Sequence, residues 1–315
     1  MSTPIVQAIA AESVPMTFIR ILGRPYLRVS ALRCIASILR NFFFLQWRSA
    51  FLPGRIPVSW ADHALDKKIP FLPKKIDIYI DFVAFWIRTI IFLLRNYGRK
   101  GFEPVREFLE SMGGLYAFAA EVYSKHLSTT YRPFYMGRPN FIPIHTLDPH
   151  LMCIPSLHVM VVIRTYTYFE KTVGSFAEAG FSDDGENISH FASQIEELRQ
   201  GALDITEAVL YVKQHSVNCI PAALYAMTCF DPLLFPSDEA ERFVADLFQK
   251  AELIDHPDIV EIREYILSLY HQFLIESKTT EPHSSGHHHG ESWTKPLLKL
   301  LQELPPGKNK NLLIR

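Results

Sequence analysis

Between residues 75 and 97 an apolar run is interrupted by Asp77, Asp81, Arg88 and Arg95, spaced by 4, 7 and 7 residues. At about 100° per residue these spacings place all four charges within roughly 40° of one another, on one narrow stripe. The rest of the circumference, carried by residues such as Phe85, Trp86, Ile90 and Phe92, has to face an apolar medium. Such a segment needs either a helical core around it or a lipid phase to dip into. No stretch of 18 residues lacks Asp, Glu, Lys and Arg, so a clean transmembrane helix is not expected. The chain has 315 residues, 48% hydrophobic and 13% aromatic, enough for one large core or two small ones and too apolar for disorder.

Helical periodicity predicts further helices at 30–48, 103–129, 156–170, 188–230, 236–253, 257–277 and 293–304, with breaks in the long one near Gly201 and Pro221. Residues 173–187 read as a polar loop and 278–291 as a linker. Long alternating strands and fixed-period repeats are absent, so the expected class is all-α. Three regions follow: a basic segment at 1–60, a helical bundle at 61–278, and a His-bearing tail at 279–315.

The charge is unevenly distributed. Residues 1–100 hold 15 Lys and Arg against 5 Asp and Glu, and the remainder holds 17 against 28. In residues 1–60 every basic residue is Arg (20, 24, 28, 33, 40, 48 and 55), and Glu12 is the only acid. Phe42, Phe43, Phe44 and Trp47 lie among them. Arginines interleaved with large apolar side chains suit the boundary between water and anionic headgroups. The alternative is a buried hairpin whose Arg heads snorkel to water. No nucleic-acid motif accompanies the charge, so nucleic acid is not an expected partner. No basic residue precedes Arg20, which makes a poor secretory signal, and peripheral attachment is expected rather than multiple spans. The four cysteines, 34, 153, 219 and 229, form no CxxC pair, which disfavours a zinc ribbon or disulfide scaffold.

Three segments carry residues suited to chemistry. The first runs from Lys125 to Arg132-Pro133, the second is Pro155-Ser156-Leu157-His158, and the third is Tyr211-Val-Lys213-Gln214-His215. Lys125 and Arg132, seven apart, share a face if the helix reaches that far, and two fixed cations there would neutralise a phosphoryl group. Ser156 after a proline suits a helix start, where free N–H groups bind anions and His158 falls in the first turn. Lys213 adds a cation beside a second imidazole. One imidazole can attack phosphorus while the other protonates the departing oxygen. Each piece alone has an ordinary structural explanation: a solvated face, a capped helix, a surface triplet.

The ordered set K-x6-RP, PS-x-H and a later His resembles the signature of the type 2 phosphatidic acid phosphatase superfamily. The PSLH and KQH forms look like its lipid phosphotransferase-like branch, which includes inositol phosphorylceramide synthases, and the resemblance covers roughly residues 115–230. It implies a helical bundle of that superfamily's type. It further implies a membrane-associated phosphoesterase or phosphotransferase acting on a lipid-linked phosphate, with no cofactor. Lys125, Arg132 and Ser156 would hold the phosphate, His158 would be the general acid, and His215 the nucleophile that becomes phosphorylated.

Two departures stand out. Where the superfamily has Ser-Arg ahead of the nucleophile, this chain has Ala208 and Val209, so Lys213 would have to supply that cation. The superfamily also places an Asp four residues after the nucleophile, and here that position is Cys219. If 211–230 is one helix, residue 219 lies a turn beyond His215 on the same face. Asp204, Glu207 or Asp231 could supply the missing acid. A metal site at His145, Asp148, His150 and His158, or at His283 and His287–His289, is disfavoured, because irregular or polar sequence surrounds these residues. The competing functional class is a catalytically weak or inactive member that binds phospholipid headgroups or acts as a membrane scaffold.

Overall fold

A computed structural model describes residues 8–178, 187–278 and 293–307. The histidine-bearing linker and residues 179–186 fall outside these residues, whereas 173–178, expected to belong to a polar loop, continue the preceding helix. The described chain is mostly helical, in agreement with the all-α expectation.

The 75–97 segment forms α4 (Ile76–Ile80) and α5 (Phe82–Tyr97), which meet at Asp81. Residues 85–94 of α5 are buried except Arg88, so protein surrounds this helix. Its polar stripe finds partners within the chain. Arg88 pairs with Asp81, Arg95 lies 2.6 Å from Glu12, and Asp77 accepts from Asn140 at 2.6 Å and pairs with Arg138. Of the two environments such a helix can have, the core is the one observed.

Ahead of it lie α1 (Val14–Leu22), α2 (Pro25–Ile38), a π-helical stretch at Leu39–Phe44, and α3 (Leu45–Phe51). Pro15 and Pro25 sit in the first turns of α1 and α2, where a missing N–H costs nothing. α2 packs along α6 (Phe102–Tyr123). The close approach depends on Gly113, where a Cβ would meet Cys34 Cα at 3.3 Å, and Ser37 Oγ donates to the Gly113 carbonyl at 2.6 Å. Leu27, Ala31 and Cys34 point into the core, while Val29, Leu32, Leu39, Phe43 and Phe44 remain exposed. The segment is therefore buried on one face only. Among the described residues no helix is long and apolar enough to cross a membrane.

A small sheet departs from the all-helical expectation. β1 (Val58–Trp60) pairs in parallel with β2 (Leu127–Thr129), with α4, α5 and α6 forming the crossover. On the far side of β2, Ser128 N donates to the Leu151 carbonyl and Cys153 N to the Ser128 carbonyl. On the far side of β1, Trp60 N donates to the Pro305 carbonyl and Gly307 N to that of Val58. Residues 127–129 were expected to end a helix at 103–129, but α6 stops at Tyr123. The remaining helices are α7 (Phe141–Leu147), α8 (Leu157–Glu178), α9 (Asn187–Tyr211), α10 (Cys219–Phe230), α11 (Ser237–Asp246), α12 (His256–Lys278) and α13 (Thr294–Glu303). The expected 188–230 helix does break, but at 212–218. Gly201 continues α9, with Phe85 packed where a Cβ would stand, and Pro221 is accommodated in the first turn of α10.

Candidate functional site

The sheet brings two of the three segments together. β2 runs directly into Thr130, Tyr131 and Arg132, while the strand-like residues beside it, 151–153, run into Ser156 and α8. Ser128 Oγ accepts from Ile154 N at 2.8 Å and fixes their relative register. Ser156 caps α8, its carbonyl accepting from Met160 N, and His158 lies in the first turn as expected.

The third segment is a loop. After Tyr211 the chain turns through Lys213 at φ +57°, a conformation that favours glycine, and Gln214 N and His215 N both donate to the Val209 carbonyl. The turn is anchored by Asp66, in a 3-10 turn at Ala64–Lys67. Its carboxylate accepts from Ser216 Oγ at 2.6 Å and Val217 N at 2.8 Å, and its carbonyl accepts from Lys213 Nζ at 2.6 Å. The Ile69 carbonyl also accepts from Lys213.

These elements bring Ser156, His158 and His215 into contact. His215 Nε2 lies 3.1 Å from His158 Nδ1 and 3.3 Å from Ser156 Oγ. His158 is wedged between Tyr79, stacked at 4.7 Å, and Phe82 at 4.3 Å. Burial holds His158 down at about 4, so it is neutral at pH 7. Burial, reinforced by the neighbouring imidazoles of His158 and His150, holds His215 well below its ordinary value, while Asp148 acts in the opposite direction. His215 Nδ1 is buried and makes no hydrogen bond of full geometry, although the Cys153 backbone lies near enough to favour a proton on the ring. A buried nitrogen so weakly satisfied is costly, and such exceptions concentrate at functional positions.

Arg132 is tied to the residue before His215 and to Asp148. Its Nη1 donates to Gln214 Oε1 at 3.0 Å, one residue before His215, and to Asp148 Oδ2 at 3.2 Å. Its Nη2 donates to the Asp148 carbonyl at 3.1 Å. Asp148 is a hub that the sequence left among disfavoured metal ligands. It also accepts from Gln46 Nε2 of α3 at 2.5 Å and from His150 N at 2.9 Å. Burial alone would raise this carboxyl, but the His150 ring and the Arg132 guanidinium outweigh it and hold Asp148 far below the usual carboxylate range. His150 Nε2 lies 2.7 Å from Thr130 Oγ1, tying Asp148 back to β2. Among the described residues no group of three His, Cys, Asp or Glu is arranged to hold a metal.

Four expectations need correction. Lys125 and Arg132 do not share a helix face. Lys125 is exposed in the turn after α6, and the extended residues 127–130 separate the two by on the order of 10 Å. Lys213 does not face the histidine pair with its ammonium, which two backbone carbonyls hold on the Asp66 side. Cys219 is not a turn beyond His215 in one helix, because α10 begins at Cys219 and His215 precedes it in the loop. None of the proposed substitute acids contacts His215 either. Asp204 accepts from Gln200, Glu207 from Phe248 N, and Asp231 from Arg164 and Leu234 N. Asp148, on the Arg132 side, is the carboxylate whose field reaches both imidazoles. Compared with protein-family models, with curated proteins and with solved structures, the chain matches none.

Proposed function

We propose that the protein is a membrane-associated phosphoesterase or phosphotransferase that acts on a lipid-linked phosphate through a phosphohistidine at His215. The observation that carries this reading is the contact among His215 Nε2, His158 Nδ1 and Ser156 Oγ, with Arg132 one residue away through Gln214. The Nε2 lone pair of neutral His215 attacks phosphorus as the P–O ester bond breaks, and His158 gives a proton to the departing oxygen. Water or an alcohol then attacks phosphorus, His158 taking its proton, and as the new O–P bond forms the N–P bond breaks, its electron pair returns to His215 Nε2, and phosphate or a new ester leaves. Arg132 and Ser156 hold the non-reacting oxygens.

The reading sets a geometric requirement. Nitrogens 3.1 Å apart leave no room for phosphorus between them. In-line transfer needs each reacting atom about 3 Å from its partner, so the rings must part by about 3 Å, His158 moving along the Tyr79 and Phe82 faces. The lipid character of the substrate is supported by the exposed apolar face of α2 and the π-helical stretch, where arginines outnumber acids.

The test is incubation with phosphatidic acid and with p-nitrophenyl phosphate, followed by acid-labile phosphate trapping on the protein. Turnover and trapped phosphate should both disappear in His215→Ala. Activity unchanged in that variant would refute the mechanism.

A second function has its own support. Lys213 held by two backbone carbonyls, Arg132 shared with Asp148, and no carboxylate hydrogen-bonded to His215 are features that suit anion binding without turnover. Headgroup binding by a protein that shows no turnover on either substrate would favour this scaffold role.

A further inference from the structure

The loop that carries Arg132 has an unusual distribution of side chains. Tyr131 is 68% exposed, Phe134 73%, and Met136 and Ile142 44% each, whereas Arg132 and Tyr135 between them turn inward. The outward set is not the product of a loose segment. Tyr131 N donates to both oxygens of Asp62 at 3.0 and 3.1 Å, Asn140 donates to Asp77, and Tyr135 and Phe141 pack edge-on against Phe71. A well-anchored loop thus holds one guanidinium in the site and large apolar side chains in solvent, the reverse of what a loop exposed only to water presents.

We propose that this segment, residues 131–142, is a second bilayer-contacting element that inserts Tyr131, Phe134, Met136 and Ile142 among anionic lipid headgroups at the Arg132 end of the site. The proposal rests on the membrane part of the function put forward above and names the surface that places the site at the bilayer. The occupant is argued from continuity and charge. α3 meets this corner of the molecule through the Gln46 to Asp148 hydrogen bond, and it carries exposed Phe51, with exposed Phe44 immediately before it. The two exposed sets are thus linked through Gln46 and Asp148, and the α3 set is bordered by arginines, with Glu12 as the only acid in residues 1–60. Apolar insertion framed by arginine matches a phosphate-bearing lipid surface. A lipid whose phosphate lay against Arg132 would have its acyl chains beside Tyr131 and Phe134, still within the bilayer.

The experiment places a reporter at the tip of the loop. Full-length Phe134→Trp is mixed with vesicles of phosphatidylcholine and phosphatidylglycerol, with and without brominated acyl chains, and its fluorescence is compared with that of wild type. The new tryptophan should be quenched by the brominated lipid and blue-shifted. A companion Phe134→Ser/Met136→Ser variant should partition onto the same vesicles about tenfold more weakly with an unchanged melting temperature, because both side chains are exposed. Co-sedimentation with vesicles but an unquenched tryptophan would overturn the loop proposal and leave peripheral attachment through the N-terminal helices intact. No co-sedimentation of wild type would overturn the membrane reading and the loop proposal together. A concentration-dependent dimer that Phe134→Ser converts to monomer would overturn the loop proposal in favour of self-association.

Discussion

His158 and His215 are both neutral at pH 7 because they are buried, and this suits the two unequally. A nucleophile needs its lone pair, whereas a general acid needs a proton. With His158 held at about 4, its protonated fraction grows about tenfold per unit as pH falls from 7 towards 5. Turnover of p-nitrophenyl phosphate should therefore rise toward acid pH across that window, and a profile flat from pH 8 to 5 would count against His158 as the acid. Stability should run the opposite way. His150, also held at about 4, together with His158 and His215, binds protons less readily folded than unfolded. The stability they contribute is complete above the unfolded value near 6.5 and is lost as pH falls from there towards 4, by about 1.4 kcal/mol per unit for each group. Glu207, raised to about 7 by burial, has the opposite sign between 4.5 and 7, a sign shared by Glu12, Asp62 and Glu170, while His126 and His145 add to the histidine side and leave it dominant. Melting temperatures by circular dichroism should drop between pH 7.5 and 5, and equal values would refute this balance.

The element scale separates what the sequence contained from what it did not. Period 3.6 with a clear stripe made α5 legible, and α12 and α13 emerged within a residue or two of their expected bounds. β1 and β2 were invisible because three residues cannot show alternation, and their pairing is fixed by partners 69 residues away. That hidden sheet is also why Lys125 and Arg132 do not share a helix face: the pattern K-x6-RP says nothing about whether helix or strand spans the gap. The loop at 212–218 carries no sequence signal because the left-handed residue in the turn after α9 is Lys213, not glycine. Gly113 gives an element-scale test. Its missing Cβ lets α2 lie against α6, so Gly113→Val should force the pair apart and cost about 1–3 kcal/mol. Hydrogen exchange should then show α1 to α3 losing protection ahead of α8 and α9, and uniform loss would mean that the layer does not dock independently.

For the whole molecule, the asymmetry of charge and the exposed apolar layer lie on the same N-terminal helices. Each arginine held near an anionic surface contributes on the order of 1 kcal/mol, and salt screens that attraction. Flotation with anionic vesicles should accordingly weaken as ionic strength rises, and equal flotation with neutral and anionic vesicles at every salt concentration would argue against electrostatic attachment. The small sheet has a consequence of another kind. Its rows come from residues 58–60, 127–129, 151–153 and 305–307, and Ser59 Oγ also donates to the Leu301 carbonyl. Contacts of such long sequence separation form late, after the loops between them have closed. On the ribosome, β1 therefore waits for residues 301–307 before its outer edge is covered, and until then it offers an unpaired strand edge beside the elements that hold Arg132 and Ser156. A nascent chain stalled before α13 would hold Arg132, Ser156, His158 and His215 and none of this cover, leaving that strand edge open to misassembly.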